Sequence, residues 1–515
     1  MDEATDLVTS GYARPMEHPE PPAQADDSAL ADLAALRLVP TDAMRAEAVA
    51  RQRTRHARTA RERIDSLVDP GSFLEYGLLA RPSQPELEGP ADGIVTGLAR
   101  VRERPVAIAS YDYTVMAGSQ GSVNNTKISR ILQIAEEQSL PVVIFAEGAG
   151  HRVQEATMHS RGGGESTFPT LARLSGRVPT VCGVPGRAFA GHAILAGLCD
   201  FVVATENAAI GMAGPPLVEA ALGERLTPEE IGAAGIHAAS GAAEAVAQDE
   251  DQLTDLISAY LSYFEGRLEP ADPVVPAAAM RSIVPADPRK PYDVREVISG
   301  LCDLGEILEL RAGFARSLVT ALGRVDGWPV GFVASQPLVL AGAIDAAASD
   351  KISRFVQLCD SFGLPVIFLV DSPGFLVGPA AERSALMRHS TRVIHTLTHA
   401  RVPFFTATLR KSYGLAHFAM GGRPLGASMV VAWPTAEYGS MGPEGAAKVL
   451  GADEGAHAER EHSLALRRQG AALKMAESFA VDDLIDPAQT RGLLADWLAA
   501  VMPSTRPSHR PIQPW

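Results

Sequence analysis

Two stretches of this sequence read almost alike: TKISRILQIAEEQSLPVVIFAEGAG at residues 126–150 and DKISRFVQLCDSFGLPVIFLVDSPG at residues 350–374. They lie 224 positions apart (351 minus 127 for the paired lysines), and the same spacing joins Pro179 to Pro403. Chance does not hold one offset over so long a stretch, and the period is far longer than a solenoid repeat. The sequence therefore predicts a duplicated domain.

Each copy has the same order of predicted elements. A strand leads through a glycine-containing loop and a helix to a short apolar run, at residues 141–146 and 365–370. Such a Val-, Ile- and Phe-rich run is typical of a strand buried on both faces. Strands alternating with helices predict an α/β fold with a parallel sheet. The glycine-rich residues 147–150 and 371–374 then follow the strands, where parallel α/β folds bind ligands.

The domain organisation is predicted from composition. Residues 1–40, rich in Pro, Ala and Asp, are expected to be a disordered lead-in. A first domain over 41–268 and a second over 292–515 are joined by a proline-rich linker at 269–291. Thr41 and Asp42 are predicted to start a long arginine-rich helix. Its arginines indicate either a solvated or inter-subunit surface, or a patch for phosphates or an acidic partner.

Charge and motif content exclude several classes of protein. A net charge of −15 argues against binding to nucleic acid or anionic lipid. Four cysteines without a C-x-x-C pair fit a reducing compartment and no zinc ribbon. We expect no membrane span and no signal peptide, hence a cytoplasmic protein. The G-x-S-x-G, H-E-x-x-H and P-loop motifs are missing, so neither a nucleophilic serine nor a metal is indicated.

Two equivalent turns are the remaining candidates for chemistry. They lie in PTVCGVPGRAFAGHAILAGLCDF (179–201) and PFFTATLRKSYGLAHFAMGGRPLG (403–426), where a strand runs into small residues and then an apolar helix. Such a turn points backbone N–H groups and the positive helix end at one spot, which can stabilise an oxyanion. A tight helix–strand contact would need the same small residues. Finding two equivalent turns favours the functional interpretation.

Several motifs in order now carry a family resemblance. DKISRFVQLCDSFGLPVIFLVDSPGFLVG, RKSYGLAHFAMGG and VVAWPTAEYGSMGPEGA resemble the C-terminal half of the carboxyltransferase (β) subunits of biotin-dependent acyl-CoA carboxylases, such as propionyl-CoA carboxylase. RERIDSLVDPGSFLEYG, GHRVQEA and AGHAILAGLCDF resemble the N-terminal half. The resemblance runs from about Arg45 to about Trp497.

The resemblance implies two tandem crotonase-like domains, with acyl-CoA on the N-half and carboxybiotin on the C-half of a dimer partner. It implies transfer of a carboxyl group from carboxybiotin to the α-carbon of an acyl-CoA through two backbone oxyanion holes. It also implies a homo-oligomer, either a dimer or a ring of dimers such as a hexamer. The biotin is expected on a separate carrier protein, supplied with a biotin carboxylase by an α subunit. Ala472–Met475 resembles a biotin-acceptor motif, but its surroundings are helical in pattern.

The family's site residues carry over by position, and no metal is implied. The oxyanion donors fall on Ala190, Gly191, Leu415 and Ala416; substrate contacts on Gly148, Ala149, Gly150, Arg152, Tyr413 and Phe418; biotin contacts on Gly374, Phe375 and Gly414. Ala190 and Leu415 replace glycines common in the family, and Phe418 replaces a smaller residue, which favours a larger or different acyl group. Alternatives are a biotin-linked acyl-CoA decarboxylase or transcarboxylase, and a non-catalytic scaffold subunit. A hydratase-like crotonase is disfavoured because no paired carboxylates are evident.

Overall fold

The computed structural model describes residues 27–55, 57–155, 167–450 and 456–514. Two sheets of similar order dominate it, one in each half of the chain. In the N-half, strands β1 to β9 are Leu74–Tyr76, Ile94–Val101, Arg104–Tyr111, Val142–Phe145, Thr180–Val184, Arg187–Phe189, Phe201–Thr205, Ala209–Gly211 and Ala245–Ala247. In the C-half, β10 to β17 are Ile307–Leu310, Leu318–Val325, Trp328–Ser335, Val366–Ser372, Phe404–Tyr413, Ala427–Ala432, Glu437–Gly439 and Asp483–Leu484.

The strand order shows the duplication directly. The first sheet runs β1-β2-β3-β4-β5-β7-β9, and the second runs β10-β11-β12-β13-β14-β15-β17. In each, the first three strands form an antiparallel meander and the others pair in parallel. Pairing of β6 with β8, and of β16 with β14, adds a short parallel step beside each main sheet. The predicted α/β duplication is confirmed.

Helices cover the sheets and cross between parallel strands. In the N-half, α1 to α10 are Asp27–Leu38, Ala46–Thr54, Ala60–Leu67, Ser122–Gln138, Thr167–Leu174, Gly191–Leu198, Pro215–Leu222, Pro228–Gly232, Ala234–Ser240 and Glu250–Ser262. In the C-half, α11 to α20 are Met280–Ile283, Val294–Leu301, Ala346–Phe362, Pro379–Arg383, Leu386–His399, Ala416–Ala419, Pro443–Leu450, Ala456–Gln469, Ala472–Glu477 and Thr490–Val501. No helix among the described residues is long and apolar enough to span a membrane.

The paired lysines of the repeat lie at equivalent buried places. Lys127 on α4 donates to the carbonyls of Ala91 and Ile94, and Lys351 on α13 donates to three carbonyls that include Leu318. Burial lowers the pKa of Lys127 to about 8 and that of Lys351 to about 7. Each ammonium therefore joins its crossover helix to the chain beside the antiparallel meander of its own half.

The structure differs from the predicted organisation in two details. The lead-in is helical at Asp27–Leu38, where Ala and Leu favour a helix, while residues 1–26 lie outside the described residues. The long arginine helix is interrupted between Thr54 and Ala60, because a capping box of Thr59 with Glu62 starts a new helix. Within the predicted linker at 269–291, Met280 and Val284 are buried in the C-half core.

The arginines of this region are structural. They pair with carboxylates of the same chain: Arg45 with Asp112, Arg53 with Glu62, Arg58 with Asp251, Arg61 with Glu75, and Arg63 with Glu147 and Glu250. Arg63 is only 1% exposed. Burial alone would lower its pKa, but the Glu147 and Glu250 carboxylates raise that pKa overall. The predicted solvated face is therefore largely an internal brace of the N-half.

Candidate active site

The N-half site is built where the chain leaves β4 and β6. After β4, residues 147–150 cross in front of the turn that follows β6. The Gly148 N–H donates to the Arg187 carbonyl at 2.6 Å, and the Phe189 N–H donates to the Gly148 carbonyl at 3.1 Å. These bonds fix the glycine-rich loop against the turn and bring Gly148, Ala149 and Gly150 beside Ala190.

The turn itself differs from the predicted oxyanion hole by one residue. The Ala190 N–H donates to the Gly211 carbonyl at 2.9 Å, so this amide is already engaged and does not face a ligand. The Gly191 and His192 amides, which open α6, donate no backbone hydrogen bond among the described residues. The assignment of Ala190 as a donor is therefore wrong in this conformation, because β8 takes its N–H.

The C-half turn has the same pattern. The Gly414 N–H donates to the Gly439 carbonyl at 2.8 Å, just as Ala190 donates to Gly211. The next two amides, of Leu415 and Ala416, have no acceptor among the described residues. The 224-residue register pairs Gly191 with Leu415 and His192 with Ala416. The repeat in the sequence therefore already indicates that His192, and not Ala190, is the N-half counterpart of Ala416.

Glycine is required where the loops approach the turns. Gly150 has φ +94, and a Cβ there would lie 3.0 Å from the Ala190 Cβ. Its counterpart Gly374 has φ +121, and a Cβ there would lie 3.4 Å from the Tyr413 carbonyl oxygen. Both conformations favour glycine. The predicted biotin-contact residues Gly374, Phe375 and Gly414 are thus brought together.

A buried acid supports each loop. Glu147 follows β4 and forms ion pairs with Arg63 at 2.7 Å and Arg55 at 3.4 Å. Asp371 near the end of β13 pairs with Arg410 at 2.8 Å, and Arg410 also donates to carbonyls of residues 285, 287 and 290. Both carboxylates are fully buried. They are committed to arginines, so neither is a free base.

Two predicted substrate residues have structural roles. Arg152 is 1% exposed, and its guanidinium pairs with Asp92 at 2.7 Å and Glu155 at 2.8 Å. A buried charge needs such partners, so Arg152 is not a surface contact and its prediction as a substrate ligand is wrong. Tyr413 is 5% exposed and its hydroxyl donates to Glu437 at 2.7 Å, which anchors the turn.

Three other residues of the predicted site, Ala149, Leu415 and Phe418, are accessible. Ala149 is exposed, while its N–H donates to the Ala117 carbonyl at 3.0 Å. Leu415 is 66% exposed, and Phe418 lies half-buried beside His417 one turn later. Among the described residues, no group of three or more His, Cys, Asp or Glu could hold a metal ion.

Comparisons with known proteins identify the family of this chain. The carboxyl transferase domain family matches residues 51–511. The methylmalonyl-CoA carboxyltransferase 12S subunit of Propionibacterium freudenreichii subsp. shermanii is 38% identical over 488 residues, covering 90% of this chain and 92% of that protein.

Two solved structures are similar over most of the chain. The transcarboxylase 12S hexamer, with methylmalonyl-CoA bound, has a TM-score of 0.87 and 36% identity, covering 95% of this chain and 98% of that one. A single-chain, multi-domain long-chain acyl-CoA carboxylase has a TM-score of 0.86 and 41% identity over 92% of this chain. This chain spans only 49% of that larger protein. The protein belongs to the carboxyl transferase domain family, as a carboxyltransferase subunit of the biotin-dependent acyl-CoA carboxylases.

Proposed function

We propose that the two turns hold the two substrates of carboxyl transfer. The Gly191 and His192 amides donate hydrogen bonds to the thioester oxygen of an acyl-CoA, and the Leu415 and Ala416 amides donate to the ureido oxygen of carboxybiotin. The observation that carries this proposal is the pair of unengaged amides at the same register in both halves. Two donors aimed at one oxygen stabilise the charge that develops on it in an enolate or ureido anion.

The residues present fit a ureido ring. Gly374 and Gly414 have no side chain, so a flat ring can approach the backbone beside Leu415 and Ala416. Bound carboxybiotin supplies the carboxyl group. The chain's own contribution is orientation and charge stabilisation, because the nearby carboxylates Glu147 and Asp371 are held by arginines.

The strained residue of the N-half favours catalysis over a scaffold role. Ala190 has φ 54 and ψ −115, a conformation that a residue with a Cβ adopts at a cost of about 1–3 kcal/mol. Its counterpart Gly414 has φ 58 without that penalty. A subunit that only scaffolds gains nothing from keeping the turn in this conformation. The turn keeps its hydrogen bond to Gly211 despite the strain, which supports a working site.

The acyl group is proposed to be larger than a short chain. The 66% exposed side chain of Leu415 and the half-buried ring of Phe418 give the C-half turn an apolar wall. Burial of a longer acyl tail against this wall makes the binding free energy more favourable by roughly 0.8 kcal/mol per methylene. The similar long-chain acyl-CoA carboxylase is consistent with such a substrate.

The assembly is proposed to be a homo-oligomer in which the N-half of one protomer faces the C-half of another, as the hexamer of the 12S relative suggests. A biotin carboxylase and a biotin carrier are the proposed partners, and the cytoplasm the proposed location. The direction of transfer then depends on those partners, and a transcarboxylase role remains the alternative because the 12S relative has that activity in its name.

The test is biotin-dependent loss of carboxylate from a panel of carboxyacyl-CoAs, with purified protein and free biotin, followed by mass spectrometry. The panel includes short, branched, long and aromatic acyl groups. We expect loss that requires biotin and is fastest for a long or bulky member. Activity confined to short chains would contradict the acyl-size proposal. No biotin-dependent loss from any member would contradict the assignment of the two turns.

A further inference from the structure

Three residues behind each turn fill the same space with different side chains. In the N-half they are Tyr111, Gly148 and His192; in the C-half the 224-residue register gives Ser335, Ser372 and Ala416. All six are buried. In the N-half, the two large side chains are those of Tyr111 on strand β3 and His192 on helix α6, and the loop residue Gly148 has no side chain. In the C-half, Ser372 has a side chain where the N-half has Gly148, and the other two positions hold the small residues Ser335 and Ala416.

The imidazole of His192 separates helix α6 from the loop. Its ring meets the ring of Tyr111 edge-on, with centroids 4.4 Å apart. A Cβ on Gly148 would lie 2.5 Å from His192 Cε1 and 2.6 Å from Nε2, and 2.3 Å from the Gly118 carbonyl oxygen. The loop therefore rests directly on the ring, and the ring sets how far Gly148 stands from the start of α6.

The packing of His192 is not explained by hydrogen bonding. Neither ring nitrogen makes a hydrogen bond of good geometry among the described residues, although the residue is 0% exposed; only the backbone of Phe189 and Gly118 approaches the ring. Burial lowers the pKa of His192 to about 4, and the backbone of Phe189 and Gly118 offsets this only in part. The ring is thus neutral at ordinary pH. A buried polar ring with only weak backbone contacts costs free energy, and the packing of its shape against the loop and Tyr111 offsets that cost.

The loop held by this ring is the one that faces the proposed acyl site. The Gly148 carbonyl accepts from the Phe189 N–H, and Phe189 is followed by the turn residues Ala190 and Gly191. Gly191 also packs against Gln120, whose amide donates to the Tyr111 hydroxyl at 3.3 Å. Tyr111, Gln120 and His192 thus form one support under the turn and the loop.

The C-half has no such wedge. Ser372 is fully buried and its hydroxyl accepts from the Gly374 N–H at 3.2 Å, so the loop there is fixed by its own side chain. The hydroxyls of Ser335 and Ser412 are buried without partners among the described residues. The support of the second turn is therefore small and polar, and a change at His192 leaves it untouched.

We propose that His192 is a positioning residue for the acyl half of the reaction: its ring acts as a wedge that fixes the Gly148–Gly150 loop relative to the Gly191 amide. The assignment of this turn to acyl-CoA rests on the proposed function above. Because the wedge fixes the position of the loop, one test measures enzyme kinetics and a second measures loop mobility without requiring enzymatic activity.

The kinetic test compares His192→Ala, His192→Leu and a control, Tyr260→Leu, which removes another buried ring of the N-half that belongs to a different core cluster from Tyr111. Decarboxylation with free biotin gives KM for each substrate. Because a misplacement of 1 Å costs on the order of 100-fold, we expect His192→Ala to lower kcat/KM for the acyl-CoA by about 30- to 100-fold. KM for biotin should stay unchanged, and Leu, close in volume to His, should recover most of the loss.

The second test does not need activity. Hydrogen exchange of the amides of residues 147–151 should speed up in His192→Ala, while that of residues 371–375 stays as in the wild type. Unchanged exchange at residues 147–151 would overturn the wedge even if the enzyme is active. So would an equal loss on the biotin side, or a Leu variant as impaired as Ala. Faster exchange in a protein without carboxyltransferase activity would keep the wedge and reject the proposed function.

Discussion

The turn of the N-half and the turn of the C-half have the same backbone and different support. Ala190 and Gly414 donate to a neighbouring short strand, and the next two amides are unengaged in both. Behind them stand Tyr111 and His192 on one side, and Ser335 and Ala416 on the other. The comparison shows that the hydrogen-bonded register, and not the side chains, carries the shared geometry. Side chains behind it are free to adapt each turn to its own substrate.

The largest expected effect comes from the buried acids that support the two loops. Arg63→Ala leaves the Glu147 and Glu250 carboxylates without their buried partner, which costs about 3–5 kcal/mol in the free energy of unfolding. Arg410→Ala is the matched change in the C-half, beside Asp371. Chemical denaturation measures both.

The control for these variants is Arg173→Ala, whose guanidinium is 54% exposed and pairs with Glu136. Its cost should stay below about 1 kcal/mol, as for other exposed pairs. If Arg63→Ala were no less stable than Arg173→Ala, the buried brace of the N-half would not be the support described here.

The paired buried lysines, Lys127 and Lys351, make the free energy of unfolding depend on pH, which allows the two halves to be compared. Because burial lowers the pKa of Lys351 to about 7, the unfolded chain takes up its proton before the folded one as pH falls from about 10.5. Stability therefore falls with decreasing pH across this window, by at most about 1.4 kcal/mol per unit, and the effect ends below pH 7.

The matched variants are Lys351→Met and Lys127→Met. Each should flatten the slope of unfolding free energy between pH 8 and 10, measured by denaturation at several pH values. Lys351→Met should also flatten it between pH 7 and 8, where Lys127, with its pKa lowered to about 8, contributes less. Identical slopes in the wild type and both variants would show that neither lysine is buried as described.

The smallest expected effect is at the turns' first residues. Ala190→Gly relieves a strained φ of 54 and should stabilise the fold by up to about 1 kcal/mol, after the entropy of the unfolded glycine is counted. Gly414→Ala is the reverse change, since a Cβ there would lie 3.1 Å from the Ser440 carbonyl oxygen. Thermal unfolding should move the two variants in opposite directions, and movement in the same direction would contradict the equivalence of the turns.

The repeat in the sequence was enough to predict the duplicated α/β fold and the location of both turns. A constant offset from Lys127–Lys351 to Pro179–Pro403 requires two copies of the same strands, and glycine-rich residues after strands indicate where ligands bind. The individual turn residues Gly191, Leu415 and Ala416 came from the family resemblance and not from the repeat.

The predictions that failed concern groups whose ion-pair or hydrogen-bond partners are set by the tertiary structure. The family resemblance places Arg152 among the substrate contacts, but its ion-pair partners Asp92 and Glu155 become visible only when the chain is folded. The Ala190 amide looks like a donor until β8 is seen to take it. A capping box of Thr59 and Glu62 interrupts the arginine helix. Its pattern, a Thr followed three residues later by a Glu, is visible in the sequence and would have predicted the new helix start.

The central claim is that the Leu415 amide acts in catalysis, and one substitution tests it with little change of shape. Leu415 has φ −70, which suits proline, and Gly414 before it has no Cβ to clash with the ring. Leu415→Pro therefore removes the N–H alone, whereas Leu415→Ala keeps it. In biotin-dependent decarboxylation, we predict that Leu415→Pro loses about 100- to 1000-fold in kcat relative to Leu415→Ala. Equal kcat in the two folded variants would contradict the account.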